Sequence, residues 1–123
     1  MILSQEHQML RDAVREYTRE QIAPNAAAWD RDGSFPTQAL KGLAAMGLYG
    51  IAIAEEWGGA GMDHTALALA LEEIAAGDGA TSTIVQVNNL AAGILAGYGT
   101  PAQKERYLRP LARGDLLGAF ALT

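Results

Sequence analysis

The 123-residue chain is the size of one domain, half apolar and 19% charged, so it can bury a real core and lacks the composition of a disordered polymer. It carries no cysteine, which excludes disulfides and thiolate metal sites. Nine basic against fourteen acidic side chains, a formal charge of −5, exclude the Lys/Arg-rich footprint by which proteins grip nucleic acid.

The opening residues MILSQEHQML have neither a basic n-region nor a long apolar h-region. The longer apolar blocks are interrupted by Glu72, Glu73 and Asp78, so no membrane span is expected. Together these features place the protein in the cytoplasm.

In chain order, Ser4 is a helix N-cap with Glu6 in the favourable first turn. Leu10, Val14 and Tyr17 follow at i, i+4 and i+7, one apolar stripe, with Arg11, Asp12, Arg15, Glu16, Arg19 and Glu20 on a solvated face. Pro24 has no N–H and is expected to end or kink this helix before Asn25, with a further turn over residues 26–29 and a break at Asp32-Gly33. Residues 37–46 read as a short helix with Leu40 and Leu43 inward and Gly47 as its C′ residue.

Residues 48–54 form an apolar connection that leads into Glu55-Glu56-Trp57-Gly58-Gly59-Ala60-Gly61, whose glycines signal irregular backbone. This run lacks the Lys-Ser/Thr of a Walker loop and does not match GxGxxG, so a turn serving the fold is the better reading. Residues 66–76 alternate Leu and Ala with period 2. Ala, Leu and Glu are nevertheless helix formers rather than strand formers, so the segment is expected to be a largely buried helix capped near Asp63.

A second apolar helix is expected over residues 84–98, with Val87, Leu90, Ala91, Ile94 and Leu95 at helical spacing. Thr100-Pro101-Ala102-Gln103 has the form of a capping box with proline at N1, starting a third helix that runs to about Arg113 and stops at Gly114. Residues 116–123 are an apolar run consistent with an incoming strand that has no partner in the chain. The expected fold is therefore all-α, an orthogonal bundle of about five or six helices with the start of a β-strand at the C-terminus. Residues 1–115 form the helical domain, and 116–123 begin a following β-domain, cut short.

Chemistry-bearing residues are sparse. His7 and His64 match no metal-ligand spacing, and each reads as an ordinary surface or capping histidine. Glu72 and Glu73 are adjacent and point to different helix faces, so they are expected to be exposed or ion-paired rather than a carboxylate dyad. Ser82 has no nucleophile-elbow context. No catalytic residue and no metal ligand is assigned.

Three segments in order resemble the N-terminal part of acyl-CoA dehydrogenases over essentially the whole chain. They are Ile22-Ala23-Pro24 with Trp29-Asp30-Arg31 and Phe35-Pro36; Gly47-Leu48-Tyr49-Gly50-Ile51 with residues 55–61; and Tyr98-Gly99-Thr100, Gln103-Lys104 and Tyr107-Leu108, closing on Gly118-Ala119-Phe120-Ala121-Leu122-Thr123. Ala54 stands where that family commonly has proline, and Trp57 where it has tyrosine.

The resemblance implies an FAD-dependent enzyme that oxidises acyl-CoA to trans-2-enoyl-CoA and passes electrons to an electron-transfer flavoprotein. It implies further that the proton-abstracting glutamate and the middle β-domain lie outside this segment, that full-length relatives are homo-oligomers, and that this segment alone is inactive and does not retain FAD. Phe120, Leu122 and Thr123 then correspond to the run lining the isoalloxazine. Thr83, Gln86 and Leu90, on one helix face, correspond to a wall of the acyl tunnel, with plain core packing as the alternative. The rival functional readings are an acyl-CoA oxidase or flavin monooxygenase of the same superfamily, and a non-catalytic helical subunit or interaction module.

Overall fold

The computed structural model describes residues 2–123, and among them every regular element is helical. The chain forms five helical rods. The first is α1 (Gln5–Tyr17), a π-helical turn (Thr18–Ile22) and α2 (Ala23–Asp32), without a break. The next three are α3 (Thr37–Ala45), α4 (His64–Gly77) and α5 (Gly79–Tyr98). The fifth joins α6 (Pro101–Gln103), a second π-helical turn (Lys104–Leu108) and α7 (Arg109–Arg113).

Most boundaries follow the local chemistry. Ser4 accepts from the His7 N–H, Asp63 from Ala66 at 2.9 Å, and Thr100 exchanges both bonds of a capping box with Gln103, at 2.9 and 3.2 Å. Gly47 lies beyond α3 at φ 80°, a left-handed position that glycine occupies without a Cβ clash.

Pro24 does not end the first helix, contrary to the expectation from the sequence. Its ring should strike the carbonyl four residues back, and its missing N–H should leave a gap in the ladder. The chain widens into a π turn instead, with the Ala23 N–H reaching back five residues to the Thr18 carbonyl, and Pro24 then sits second in α2. Pro110 is handled in the same way: the Arg109 N–H reaches Lys104 O, and the proline is second in α7.

The main core gathers Val14, Ile22, Leu43, Leu48, Ile74 and Val85, with Leu10, Tyr17 and Trp29 partly buried against it. A second cluster joins Ile53, Ala92, Leu108 and Ala112 under Trp57. Lys104 and Arg109 lie 5.8 and 5.4 Å from the Trp57 ring centroid, within cation–π range.

In α4 the buried positions are Ala66, Ala70 and Ile74. This is a helical i, i+4, i+8 row that settles the Leu/Ala alternation in favour of helix, and its alanines let α4 pack against both α1 and α5. Arg15 clamps α1 to α4 through two bonds to Glu73, at 2.9 and 2.6 Å.

That clamp makes stability acid-sensitive. Hydrogen bonds from Arg15, aided by its charge, hold the Glu73 carboxyl below its ordinary range. The Ala66 N–H and His7 do the same for Asp63. A depressed carboxylate contributes stability that is complete above its unfolded-state pKa and is lost as the pH falls through its folded value. The denaturant midpoint should therefore fall on acidification below the ordinary carboxylate range, and Glu73→Gln should flatten that fall. A second measurement addresses the last rod: Thr100→Ala should destabilise by about 0.5–2 kcal/mol in denaturant titrations, whereas Thr100→Ser stays close to the parent.

Candidate functional site

The site elements meet along α5. Its inward face carries Thr81, Ser82, Val85, Asn88, Asn89 and Ala92, and its outward face carries Thr83, Gln86, Leu90, Gly93, Ile94 and Gly97. This reverses part of the sequence expectation. Leu90 and Ile94, read as members of a buried stripe, are 47% and 39% exposed, while two asparagines occupy the interior. Polar atoms inside a helix bundle need partners. Asn89 donates to the carbonyls of Leu48 at 2.8 Å and Val85 at 2.9 Å. Asn88 donates to Tyr49 O at 3.2 Å and Leu111 O at 3.3 Å, and accepts from the Gly118 N–H at 2.7 Å.

Thr83, Gln86 and Leu90 share the outward face. Thr83 Oγ1 donates to the Gly79 carbonyl of its own helix at 3.0 Å. None of the three packs in the core, so the core-packing alternative fails for this chain. A Cβ built on Gly93 or Gly97 would meet nothing within 4 Å. Glycine within a helix costs about 1 kcal/mol relative to alanine, and no contact inside the chain requires it at either position.

Residues 116–123 follow α7 without regular secondary structure. A strand is defined by its ladder, and no other strand exists among the described residues to form one. Phe120 and Leu122 are 51% and 81% exposed, and Thr123 is exposed. No hydrogen bond within the described residues engages 119–123. The run is brought to α5 through Gly118, beside Asn88 and Ala91.

The other chemical candidates resolve into structure. The N–H groups of Gly59, Ala60, Gly61 and Met62 donate to Ala54, Gly50, Ile53 and Ile51 carbonyls at 2.8–3.2 Å. The glycine loop thus turns its donors inward and is no phosphate cradle. A Cβ on Gly59 would collide with the Ile53 carbonyl, which accounts for glycine there. His7 links the Ser4 cap to Asp63, with contacts of 3.0 and 2.9 Å, and Glu72 is exposed while Glu73 is ion-paired. No group of three or more His, Cys, Asp or Glu among the described residues could hold a metal, and no helix there is long and apolar enough to cross a membrane.

The model of the acyl-CoA dehydrogenase N-terminal domain matches residues 4–115. The chain belongs to the acyl-CoA dehydrogenase family. It is 38% identical over 122 residues to the mitochondrial short-chain specific acyl-CoA dehydrogenase of Rattus norvegicus, covering 98% of this chain and 30% of that protein. It superposes on the butyryl-CoA dehydrogenase of Megasphaera elsdenii with a TM-score of 0.93 and 30% identity, over 100% of this chain and 33% of that one. It also superposes on a chain from work on the electron transferring flavoprotein of Acidaminococcus fermentans, with a TM-score of 0.95 and 31% identity, again over 100% and 33%. The chain thus spans about a third of the length of the proteins it matches.

The burial pattern of α5 can be checked by stability measurements alone. Val85→Ala, at a fully buried position, should cost about 1–3 kcal/mol. Leu90→Ala on the outward face should shift the denaturant midpoint by no more than about 0.5 kcal/mol equivalent.

Proposed function

We propose that this chain is the helical domain of an FAD-dependent acyl-CoA dehydrogenase that oxidises acyl-CoA to trans-2-enoyl-CoA. In this reading residues 1–115 are the domain and residues 116–123 begin a strand of a following β-domain, which supplies the ladder partners that the chain lacks. The outward face of α5, with Thr83, Gln86 and Leu90, forms one wall of the acyl-chain site. Phe120, Leu122 and Thr123 line the isoalloxazine, and an electron-transfer flavoprotein takes the electrons onward.

The observation that carries the reading is the outward face of α5. It spends apolar and glycine positions on a surface its own core does not use, so the body that approaches it closely is a ligand or another domain. The fit to a flavin edge rests on 119–123: unengaged backbone donors and acceptors, and a terminal hydroxyl, next to apolar side chains. That donor set suits the pyrimidine rim of a planar heterocycle, whose carbonyl and ring nitrogen atoms alternate between accepting and donating.

Bound FAD supplies the hydride acceptor. The work left to this chain is to orient the ring through the Phe120–Thr123 backbone and the Thr123 hydroxyl, to stabilise the reduced ring by those hydrogen bonds, and to exclude water from the acyl chain with Leu90. No proton-abstracting group is assigned to the chain, so it is expected to be inactive alone and to purify without flavin.

The test is a hybrid enzyme in which this chain replaces the matching third of the Megasphaera elsdenii butyryl-CoA dehydrogenase. The hybrid should be yellow and should bleach on addition of butyryl-CoA. Thr123→Ala should lower the flavin midpoint potential, and Leu90→Trp should reduce kcat/KM for butyryl-CoA about tenfold or more. A folded hybrid that stays colourless, or one indifferent to both substitutions, overturns the proposal.

A further inference from the structure

We infer that Asn88 is a positioning residue: its buried side-chain amide fixes where residues 119–123 leave the helical domain, and so holds that run in register with the outward face of α5. The consequence for flavin rests on the reading of Phe120, Leu122 and Thr123 given above.

The geometry is specific. Asn88 has no exposed surface, and its side chain bonds to three separate segments. The two carbonyls of Tyr49 and Leu111 can only accept, and the Gly118 N–H can only donate. The amide therefore has one satisfying orientation, with Nδ2 toward the carbonyls and Oδ1 toward Gly118. The bond from Gly118 is the shortest of the three, at 2.7 Å.

Steric contact fixes the same point. A Cβ on Gly118 would come within 2.9 Å of Ala91 Cβ and 3.3 Å of both Asn88 Oδ1 and Leu111 Cδ2. Gly118 is half-buried, whereas every other residue from Asp115 to the end is exposed. Leu116 is tied back only to Pro110 O, at 3.3 Å, and nothing inside the chain engages the residues after 118. One residue is thus the whole attachment of the run to α5. Asn88 lies two positions after Gln86 and two before Leu90 on a rigid helix, so this attachment also fixes the distance between the run and the acyl-facing side chains.

The test is amide hydrogen exchange on the complete 123-residue chain, read residue by residue by NMR. The Gly118 amide should be protected, and those of 119–123 should exchange fast. Asn88→Ala should accelerate Gly118 exchange about tenfold or more, as expected for loss of one hydrogen bond to a buried acceptor. Gly118→Ala, which leaves the buried amide in place, should likewise deprotect residue 118 by driving a methyl against Ala91.

The double change Gly118→Ala/Ala91→Gly should restore protection at residue 118. A merely structural role would give the opposite result, because Ala91→Gly weakens α5 and would speed exchange throughout the helix. An unprotected Gly118 amide in the parent chain overturns the inference, and so does a Gly118→Ala defect that Ala91→Gly leaves unrescued. No flavin is present in these measurements, so either result leaves the flavin reading standing. A protected, rescuable anchor together with a hybrid-enzyme potential that Thr123→Ala does not move would sink the flavin reading alone.

Discussion

Two adjacent buried asparagines on α5 dictate the arrangement around them. The stretch after α3 turns too tightly for its carbonyls to find partners in a helix of its own, and Leu48 and Tyr49 present theirs to the interior. Leu111, at the end of the last rod, does the same. Each of these groups left without a partner in a dry core would cost about 1–3 kcal/mol. Side-chain amides on a neighbouring helix satisfy them, and that requires α5 to turn its Asn88–Asn89 edge inward. The apolar residues that share the helix are then left on the other side. The exposed face is thus the corollary of the buried one: the same requirement that closes the bundle opens a surface.

How much of this was legible in the sequence depended on the kind of signal. The stripe of Leu10, Val14 and Tyr17, the caps at Ser4, Asp63 and Thr100, and the stop at Gly47 all came from interactions within one turn, and the structure has them. The strength of α4 as a helix likewise outweighed its misleading alternation. Three readings went astray for longer-range reasons. Pro24 did not stop its helix, because tertiary packing held the rod together through a widened turn. The start of α5 lay five residues earlier than expected, at an Asp78 cap that the Gly77-Asp78-Gly79 sequence disguised as loop.

The third was the orientation of α5. Apolar periodicity alone assigned Leu90 and Ile94 to the core. The pair Asn88-Asn89 was the available warning, since asparagine is a poor helix former that competes for backbone partners, and such residues inside an apolar helix demand an explanation. The partners themselves, carbonyls 39 and 23 residues away from Asn88, could not be read from local pattern. The roles of Phe120, Leu122 and Thr123 had no local signature at all. They came from resemblance, and the run acquires a defined place only through Gly118.

The π turn in the first rod has a further consequence, for the length of the chain. Val14, Thr18 and Ile22 are all buried and fall at strict intervals of four. In an ideal α-helix a four-residue step overshoots a full revolution by about 40°, so such a row would spiral away from the core within a few steps. A wide turn holds more residues per revolution and cancels that overshoot, acting as a phase correction built into the backbone. It leaves Thr18 Oγ1 covered and without a partner, and in return it delivers Trp29 to the core side of α2. Losing one residue from 18–22 would turn everything beyond it by about 100° and carry Trp29 off the core. The rod is therefore a segment in which substitution is far easier to accommodate than a change of length, although no residue in that turn contacts any part of the proposed site.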